Sequence, residues 1–344
     1  MLRAAMMRGL IAVLSTNYSV LSTEYVSNIQ PTMQNIITRR QSLACTAGLA
    51  ASIASGSESF ALDAAITIGL GFSLYGMKSL PLTTALQTCR EIGYDCIELP
   101  LMPGWPADPE KLAFSARKEL KAGLEKSGLR LSALMENLPL LGDDKTHAAN
   151  LQRLKLAADL AHELVPEKPP LIETVLGGKP AEWEAVKEKI AARLRDWAKV
   201  AEENKVVIAI KAHVGNALHT PADAVWLLEQ VGSKFVRLAY DYSHFGLQRI
   251  SLESSLDTLL PHAVFIHVKD AEGDAAKFQF LLPAEKENRY ADYFKLLAKK
   301  KYRGDVVVEV SGQIHSRPGY DPVAAARKCY GPLAAAMREA GVRR

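Results

Sequence analysis

The sequence predicts an α/β protein: a single-domain (β/α)8 TIM barrel over residues 62–344, behind an N-terminal extension over residues 1–61. Three observations predict it. From Ala65 onward, β-branched apolar runs alternate with amphipathic helical stretches; eight such units in roughly 280 residues match a (β/α)8 barrel in count and length. The strand runs are continuously apolar, with no in–out alternation, as in a parallel sheet covered on both faces. Several late runs also end in Asp, His, Glu or Lys, which are costly to bury unless they bind something.

Taken in order, strands are expected at Thr67–Gly71, Cys96–Leu99, Arg130–Ala133, Leu171–Val175, Val206–Ile210, Val236–Tyr240, Val264–Val268 and Val306–Val310. The intervening periodicity predicts helices at Leu82–Ile92, Pro109–Lys126, Asp144–Leu164, Ala181–Glu203, Pro221–Gln230, Leu252–Leu260, Arg289–Lys300 and Pro322–Ala340. A doubly wound sheet is the competing architecture. It lacks its dinucleotide loop, because Gly69-Leu70-Gly71 has neither a third glycine nor a helix start behind it. No Pro/Gly-rich linker divides the barrel region.

The extension reads as an address. Ile36 to Ala61 contains an arginine pair, a moderately apolar small-residue stretch, and Ser59-Phe60-Ala61, an A-x-A-like cleavage site. Arg39-Arg40 before Gln41-Ser42-Leu43 resembles a twin-arginine export signal. The apolar stretch is too short for a comfortable membrane span, so no stable membrane anchor is expected. Met33 is a natural start for this signal, which spans about residues 33–61. The expectation is export in folded form to the periplasm or another extracytoplasmic space, with mature protein beginning near Leu62. Cys89, Cys96 and Cys329 then remain. They form no CxxC and are odd in number, so they are read as buried apolar residues and not as a disulfide framework. The net charge of +4 is spread along helices without a stripe, which offers nucleic acid no footprint.

Candidate site residues lie at strand ends: Glu98, Glu136, Glu173, Lys211 with His213, Asp241 with His244, His267 with Lys269 and Asp270, and Glu309. Glu98 could cap its loop, and Glu136, in Glu136-Asn137-Leu138-Pro139, is expected to be a solvated loop residue. Glu173 faces the mouth or pairs with Lys211. Asp241, His267 and Glu309 have the donor types of a hard divalent cation site (Mn, Mg or Zn). His213 is expected to line the mouth, His219 to belong to a helix start, and Trp105 either to stack on a sugar or to cover the mouth.

The segments Tyr94-Asp95-Cys96-Ile97-Glu98-Leu99, Ile210-Lys211-Ala212-His213, Asp241-Tyr242-Ser243-His244, His267-Val268-Lys269-Asp270 and Tyr302-Arg303-Gly304 leading to Glu309-Val310 resemble the xylose isomerase-like barrels. That family comprises sugar phosphate isomerases and epimerases and is related to endonuclease IV. The resemblance implies a Mn²⁺-like ion held at the positions of Lys211, Asp241, His267 and Glu309, and a substrate-binding role for His244. Three departures accompany it. Lys211 stands where a Glu ligand is expected, no second acid follows between Val214 and Leu218, and the family's arginine is missing, with Lys277 the nearest basic substitute.

Lys211 differs from Glu by two units of charge, which leaves three readings open. A metal still binds through Asp241, His267 and Glu309; or the ammonium replaces the metal and serves an epimerase or lyase on a keto-sugar; or the barrel is an inactive sugar-binding protein. The expected activity is proton transfer next to a carbonyl of a small unphosphorylated carbohydrate. Lys211, His244 and Glu173 are the expected catalytic residues, with Glu98, Trp105, His213, Lys269 and Lys277 around the substrate.

Overall fold

The computed structural model describes residues 67–286 and 290–343. In chain order its strands are β1 (Gly69–Ser73), β2 (Cys96–Pro100), β3 (Arg130–Asn137), β4 (Leu171–Val175), β5 (Ile208–Lys211), β6 (Val236–Asp241), β7 (Ala263–Val268), β8 (Asp270–Gly273), β9 (Phe278–Leu281) and β10 (Asp305–Val308). Eight of them form a closed barrel in the order β1-β10-β7-β6-β5-β4-β3-β2, every neighbouring pair parallel. The other two, β8 and β9, form an antiparallel hairpin after β7. The predicted single-domain (β/α)8 barrel is the observed one.

The helices are α1 (Leu82–Ile92), α2 (Phe114–Ser127), α3 (Asp144–Leu164), α4 (Trp183–Glu203), α5 (Pro221–Val231), α6 (Tyr242–Gly246), α7 (Leu252–Leu259), α8 (Tyr290–Lys299), α9 (Gly312–His315) and α10 (Pro322–Glu339). Their starts follow local chemistry: Asp143 caps α3 and Thr220 caps α5 with side-chain oxygens that accept backbone N–H bonds. Among the described residues, no helix is long and apolar enough to cross a membrane.

Boundaries differ from expectation in places that bear on the site. Strand β1 starts and ends two residues later than predicted, so Ser73 and not Gly71 stands at its end. Strand β3 runs four residues further, to Asn137. Helix α2 begins at Phe114, because Asp108 to Leu112 forms turns in which the N–H groups of Lys111 and Leu112 donate to the Asp108 carbonyl. The predicted start at Arg289 of the helix observed as α8 lies outside the described residues.

Two packing surfaces give the barrel its layers. One large cluster fills the space between strands and helices. A smaller one, Cys96, Ala133, Ala209, Ala239, Phe265 and Val307 with Leu171 against it, joins residues of β2 through β7 and β10 across the barrel interior. Side chains two apart on a strand share a face. One step further along each strand, the interior layer therefore becomes Ser73, Glu98, Met135, Glu173, Lys211, Asp241, His267 and Glu309. Gly71 is required beneath it: a Cβ there would lie 2.6 Å from Cys96 Sγ and 2.8 Å from Val307 Cγ2. An apolar plug thus supports a layer of mostly ionisable groups at the C-terminal mouth, where (β/α)8 barrels keep their sites.

Candidate active site

The ionisable layer is buried, and Glu309, the most exposed of these groups, is only 9% accessible. Lys211 Nζ lies 2.8 Å from Glu309 Oε2, 3.1 Å from Glu173 Oε1 and 3.0 Å from His267 Nδ1. Lys269, two residues beyond His267 and so on the same face, donates to Glu309 Oε2 at 3.0 Å and to Asp241 Oδ2. Its ammonium is 3.5 Å from His244 Nε2. The other Asp241 oxygen accepts from the Ser243 N–H at 3.1 Å and hydroxyl at 2.7 Å. His267 is clamped between Glu98 Oε2 on Nε2 (3.0 Å) and Glu309 Oε2 on Nδ1 (3.1 Å).

These contacts sort the groups by charge. Burial opposes the ammonium of Lys211, but Glu173, Glu309 and Asp241 outweigh it and hold its pKa well above the ordinary value. Burial likewise opposes the carboxylates of Asp241 and Glu309. Lys269 and His244 overcome it at Asp241, Lys211 and Lys269 at Glu309, and both stay well below the usual range. His267 is pushed up to about 9, with Glu98 and Glu309 outweighing burial and Lys211. Glu173 goes the other way: burial raises its carboxyl despite Lys211 and His267. The rings of His213 and His244, with centroids 4.1 Å apart, are held neutral. Burial is the first cause for each, pushing His213 down to about 2 and His244 to about 4.

Could the site hold a divalent ion? Asp241, His267 and Glu309 bring one ligand atom each within 4.8 Å of one another, as do Glu98, Glu173 and His267. The donor types are right, but the charge between them is already supplied. Lys269 sits on Asp241 Oδ2 and Glu309 Oε2, and Lys211 on Glu309 Oε2 and His267 Nδ1. At an effective dielectric of 20, an ammonium 4 Å from a divalent ion repels it by about 8 kcal/mol. Two ammoniums on the ligand atoms make this arrangement a poor fit to a divalent cation.

A cavity of about 180 Å³ opens above the layer, lined by Tyr75, Met135, Glu173, Lys211, His213, Lys269, Phe280 and Glu309 among others. Phe280 comes from the β8–β9 hairpin, its ring 4.9 Å from Lys269 Nζ and 5.3 Å from the His244 ring. Two larger cavities are also present. One of about 1410 Å³ is lined by strand starts at the opposite end, around Gly69, Arg130 and Asp305, the face of such barrels associated with stability. Another, of about 340 Å³, lies between Asp241, Lys269 and α8.

Glu173, Lys211, Asp241, His244, His267, Lys269 and Glu309 therefore converge, and His213 lines the cavity. Glu98 does not reach the cavity; it supports His267 from behind. Trp105 stacks on Tyr75 at the rim and does not line the cavity. Lys277 is a correction: it is exposed in the turn of the hairpin, where its N–H donates to Asp274 Oδ1, and it is not among the residues that line the cavity. Glu136 is another. It belongs to β3, is 2% exposed, and receives Nε and Nη2 of Arg153 at 3.1 and 2.6 Å. Asp270 accepts the Tyr290 hydroxyl and anchors structure outside the cavity. His219 lies at the start of α5, as expected, its Nδ1 2.8 Å from the Ala217 carbonyl.

Sequence reasoning missed Tyr75, because β1 was placed two residues early, and Phe280, because the hairpin was not seen. Gly273-Asp274 followed by the Phe278-Gln279-Phe280 alternation is the hairpin signal in the sequence, and Gly273 adopts φ 99° in the structure.

A closed parallel barrel with a buried ionisable cluster at its C-terminal mouth defines the class: a (β/α)8 barrel with its site where such barrels keep it. Within that class the chain belongs to the xylose isomerase-like TIM barrel family, whose pattern matches residues 86–329. It is 25% identical over 138 residues to an inosose dehydratase of Mesomycoplasma hyopneumoniae (strain 7448), covering 36% of this chain and 46% of that protein. The chain thus spans about half the length of the curated relatives it matches. Its fold is shared with a 3-keto-D-glucoside 4-epimerase from E. coli, at TM-score 0.61 and 17% identity, over 78% of this chain and 99% of that one. It is shared also with the IOLI protein, solved with a bound zinc atom, at TM-score 0.65 and 18% identity, over 79% and 99%.

Proposed function

We propose that the protein catalyses proton transfer at the carbon next to a carbonyl of a neutral keto-sugar or keto-polyol, without a divalent metal. The outcome is epimerisation or β-elimination. One observation carries the reading: the Lys211 ammonium stands among Glu173, Glu309 and His267, beside the one carboxyl of the layer that burial makes more basic.

In this mechanism the substrate carbonyl lies against the ammoniums of Lys211 and Lys269, which stabilise negative charge as it develops on oxygen. Glu173, as carboxylate, removes the proton from the adjacent carbon. The electron pair of the C–H bond becomes the enolate π bond, and the carbonyl π electrons move to oxygen. For epimerisation a water molecule protonates the opposite face of the enolate, and the hydroxide left behind takes the proton held by Glu173. For dehydration the hydroxyl on the next carbon leaves as water with the proton held by Glu173, and the enolate electrons form the conjugated C=C bond. Neutral His244, beside Lys269 and Asp241, is placed to orient a hydroxyl.

The cavity supports a small uncharged substrate. At about 180 Å³ it is below the range of drug-sized sites, and among the described residues no guanidinium lines it to hold a phosphate. Relatives named for an inosose and a 3-keto-glucoside supply the two test substrates, both polyhydroxy ketones. The sequence of the N-terminal extension further supports action outside the cytoplasm, with barrel and extension meeting near residue 62.

The test is deuterium wash-in followed by NMR. Wild-type protein in D₂O with chelator should place deuterium next to the carbonyl of scyllo-inosose or methyl 3-keto-glucoside, and Lys211→Met should not. Failure of the wild type on both substrates, or full activity in Lys211→Met, would reject the proposal.

A further inference from the structure

Tyr75 has no assigned role, yet it stands at the end of β1 in a position built with some care. The Ser73 hydroxyl accepts the Tyr75 N–H at 3.3 Å and fixes the short 3₁₀ turn Leu74–Met77. The phenol ring stacks on Trp105, with centroids 5.3 Å apart and planes at 12°. His315 packs edge-on at 4.6 Å and 89°. Lys78 Nζ lies 3.8 Å from the Trp105 ring and braces the column. Aromatic residues that follow two other strands, Trp105 after β2 and His315 after β10, thus immobilise one tyrosine at the rim of the cavity.

The ring lines that cavity with Glu173, Lys211 and Glu309. Its hydroxyl has no hydrogen-bond partner among the described residues, although the side chain is only partly accessible. Gly312 lies beside it, where a Cβ would sit in ordinary van der Waals contact with the hydroxyl oxygen at 3.4 Å. Burial, then Glu309, raise the phenol above its ordinary value, so the group is a proton-bearing donor at neutral pH.

We propose that Tyr75 is a specificity-determining residue that contacts the substrate, its ring forming one wall of the cavity and its hydroxyl donating to a sugar oxygen. The inference rests on the reading of the cavity as a keto-sugar site. A rigid, amphipathic side chain held by stacking gives contact area and a directed hydrogen bond at small entropic cost. The charged side chains of the layer form ion pairs with one another, whereas the Tyr75 hydroxyl pairs with no described residue. Trp105 acts on the substrate through Tyr75, as a positioning residue.

Calorimetric titration of scyllo-inosose and methyl 3-keto-glucoside into wild type, Tyr75→Phe, Trp105→Ala and the double variant tests it, alongside the deuterium assay. Tyr75→Phe keeps the stack and removes one oxygen, so it should fold as wild type. It should weaken binding of at least one ketone about 3- to 10-fold, the range of one net hydrogen bond. Trp105→Ala should raise KM more than it lowers kcat. In the double variant the loss should fall well short of the product of the single losses, a coupling that a merely structural Trp105 would not produce. Binding by wild type with no loss in Tyr75→Phe would overturn this inference alone. Absence of binding and exchange in wild type would overturn it together with the functional reading.

Discussion

At the scale of single residues, Lys211 and Lys269 decide the chemistry. Together they bring two positive charges to Glu173, Asp241 and Glu309, the charge a divalent ion would bring, but as fixed ammoniums with hydrogen-bond direction. Removing one leaves buried carboxylates under-compensated, which typically costs about 3–5 kcal/mol. Lys211→Met should therefore lower the unfolding temperature as well as abolish exchange; Lys269 still pairs Glu309, so the loss should lie near the low end of that range. Metal binding gives a sharper prediction. Purified wild-type protein should carry far less than one equivalent of Mn²⁺, Mg²⁺ or Zn²⁺ by elemental analysis. Lys211→Glu combined with Lys269→Met should gain a Mn²⁺ site visible by electron paramagnetic resonance. Stoichiometric metal in the wild type would refute the lysine substitution. Asp241, His267 and Glu309 were legible because each ends an apolar run. The second ammonium was less so: Lys269 shares a face with His267 only if the strand geometry continues past β7, and a run of residues does not say where its strand stops.

Between elements, Arg153 joins three segments of the chain. From α3 it donates to Glu136 on β3, to Asp108 at 2.8 Å, and to the Leu101 carbonyl at 2.6 Å. It thereby ties the β2–α2 segment, which also carries Trp105, to the barrel wall. This explains why Glu136 is not the solvated residue its loop-like Asn-Leu-Pro surroundings suggest: its partner lies 17 positions away in sequence, beyond the range of local pattern. Burial, opposed by Arg153, pushes the Glu136 carboxyl up to about 7 from 4.5. A raised folded-state value means that the folded protein holds this proton more tightly than the unfolded chain. The stabilisation is fully present below about pH 4.5 and is lost as pH rises through about 7, on the order of 3 kcal/mol in all. Thermal unfolding of wild type and Glu136→Gln at pH 5 and pH 8 checks this. The variant should lose less stability between the two pH values. Arg153→Met should be destabilised at both, and more at pH 8, where Glu136 is left charged without its guanidinium. A pH-independent difference would show that Glu136 does not titrate in this window.

For the whole molecule, the eight-fold alternation was enough to specify the barrel, and the bounds of α1, α3 and β4 coincide with those the pattern predicts. What alternation leaves open is closure, which here is the pairing of β1 with β10 from Gly69–Asp305 to Phe72–Val308. That register also sets which residues reach the mouth, and so an error of two residues at β1 hid Tyr75. The completed barrel bears on localisation as well. Among the described residues, Cys89, Cys96 and Cys329 are free and buried, so the barrel seen there is held together without a disulfide. A barrel held together in this way suits the export in folded form proposed from Arg39-Arg40-Gln41-Ser42-Leu43. We therefore expect the full-length chain, expressed in a bacterium with twin-arginine export, to be recovered outside the cytoplasm with an N-terminus near Leu62. Replacing Arg39 and Arg40 together by lysine should retain it inside, uncleaved, with unchanged deuterium exchange, because neither arginine belongs to the predicted barrel. N-terminal sequencing of fractionated cells decides the matter: an intact cytoplasmic chain beginning at Met1 in the unmodified protein would defeat the export proposal and leave the chemistry of the site standing.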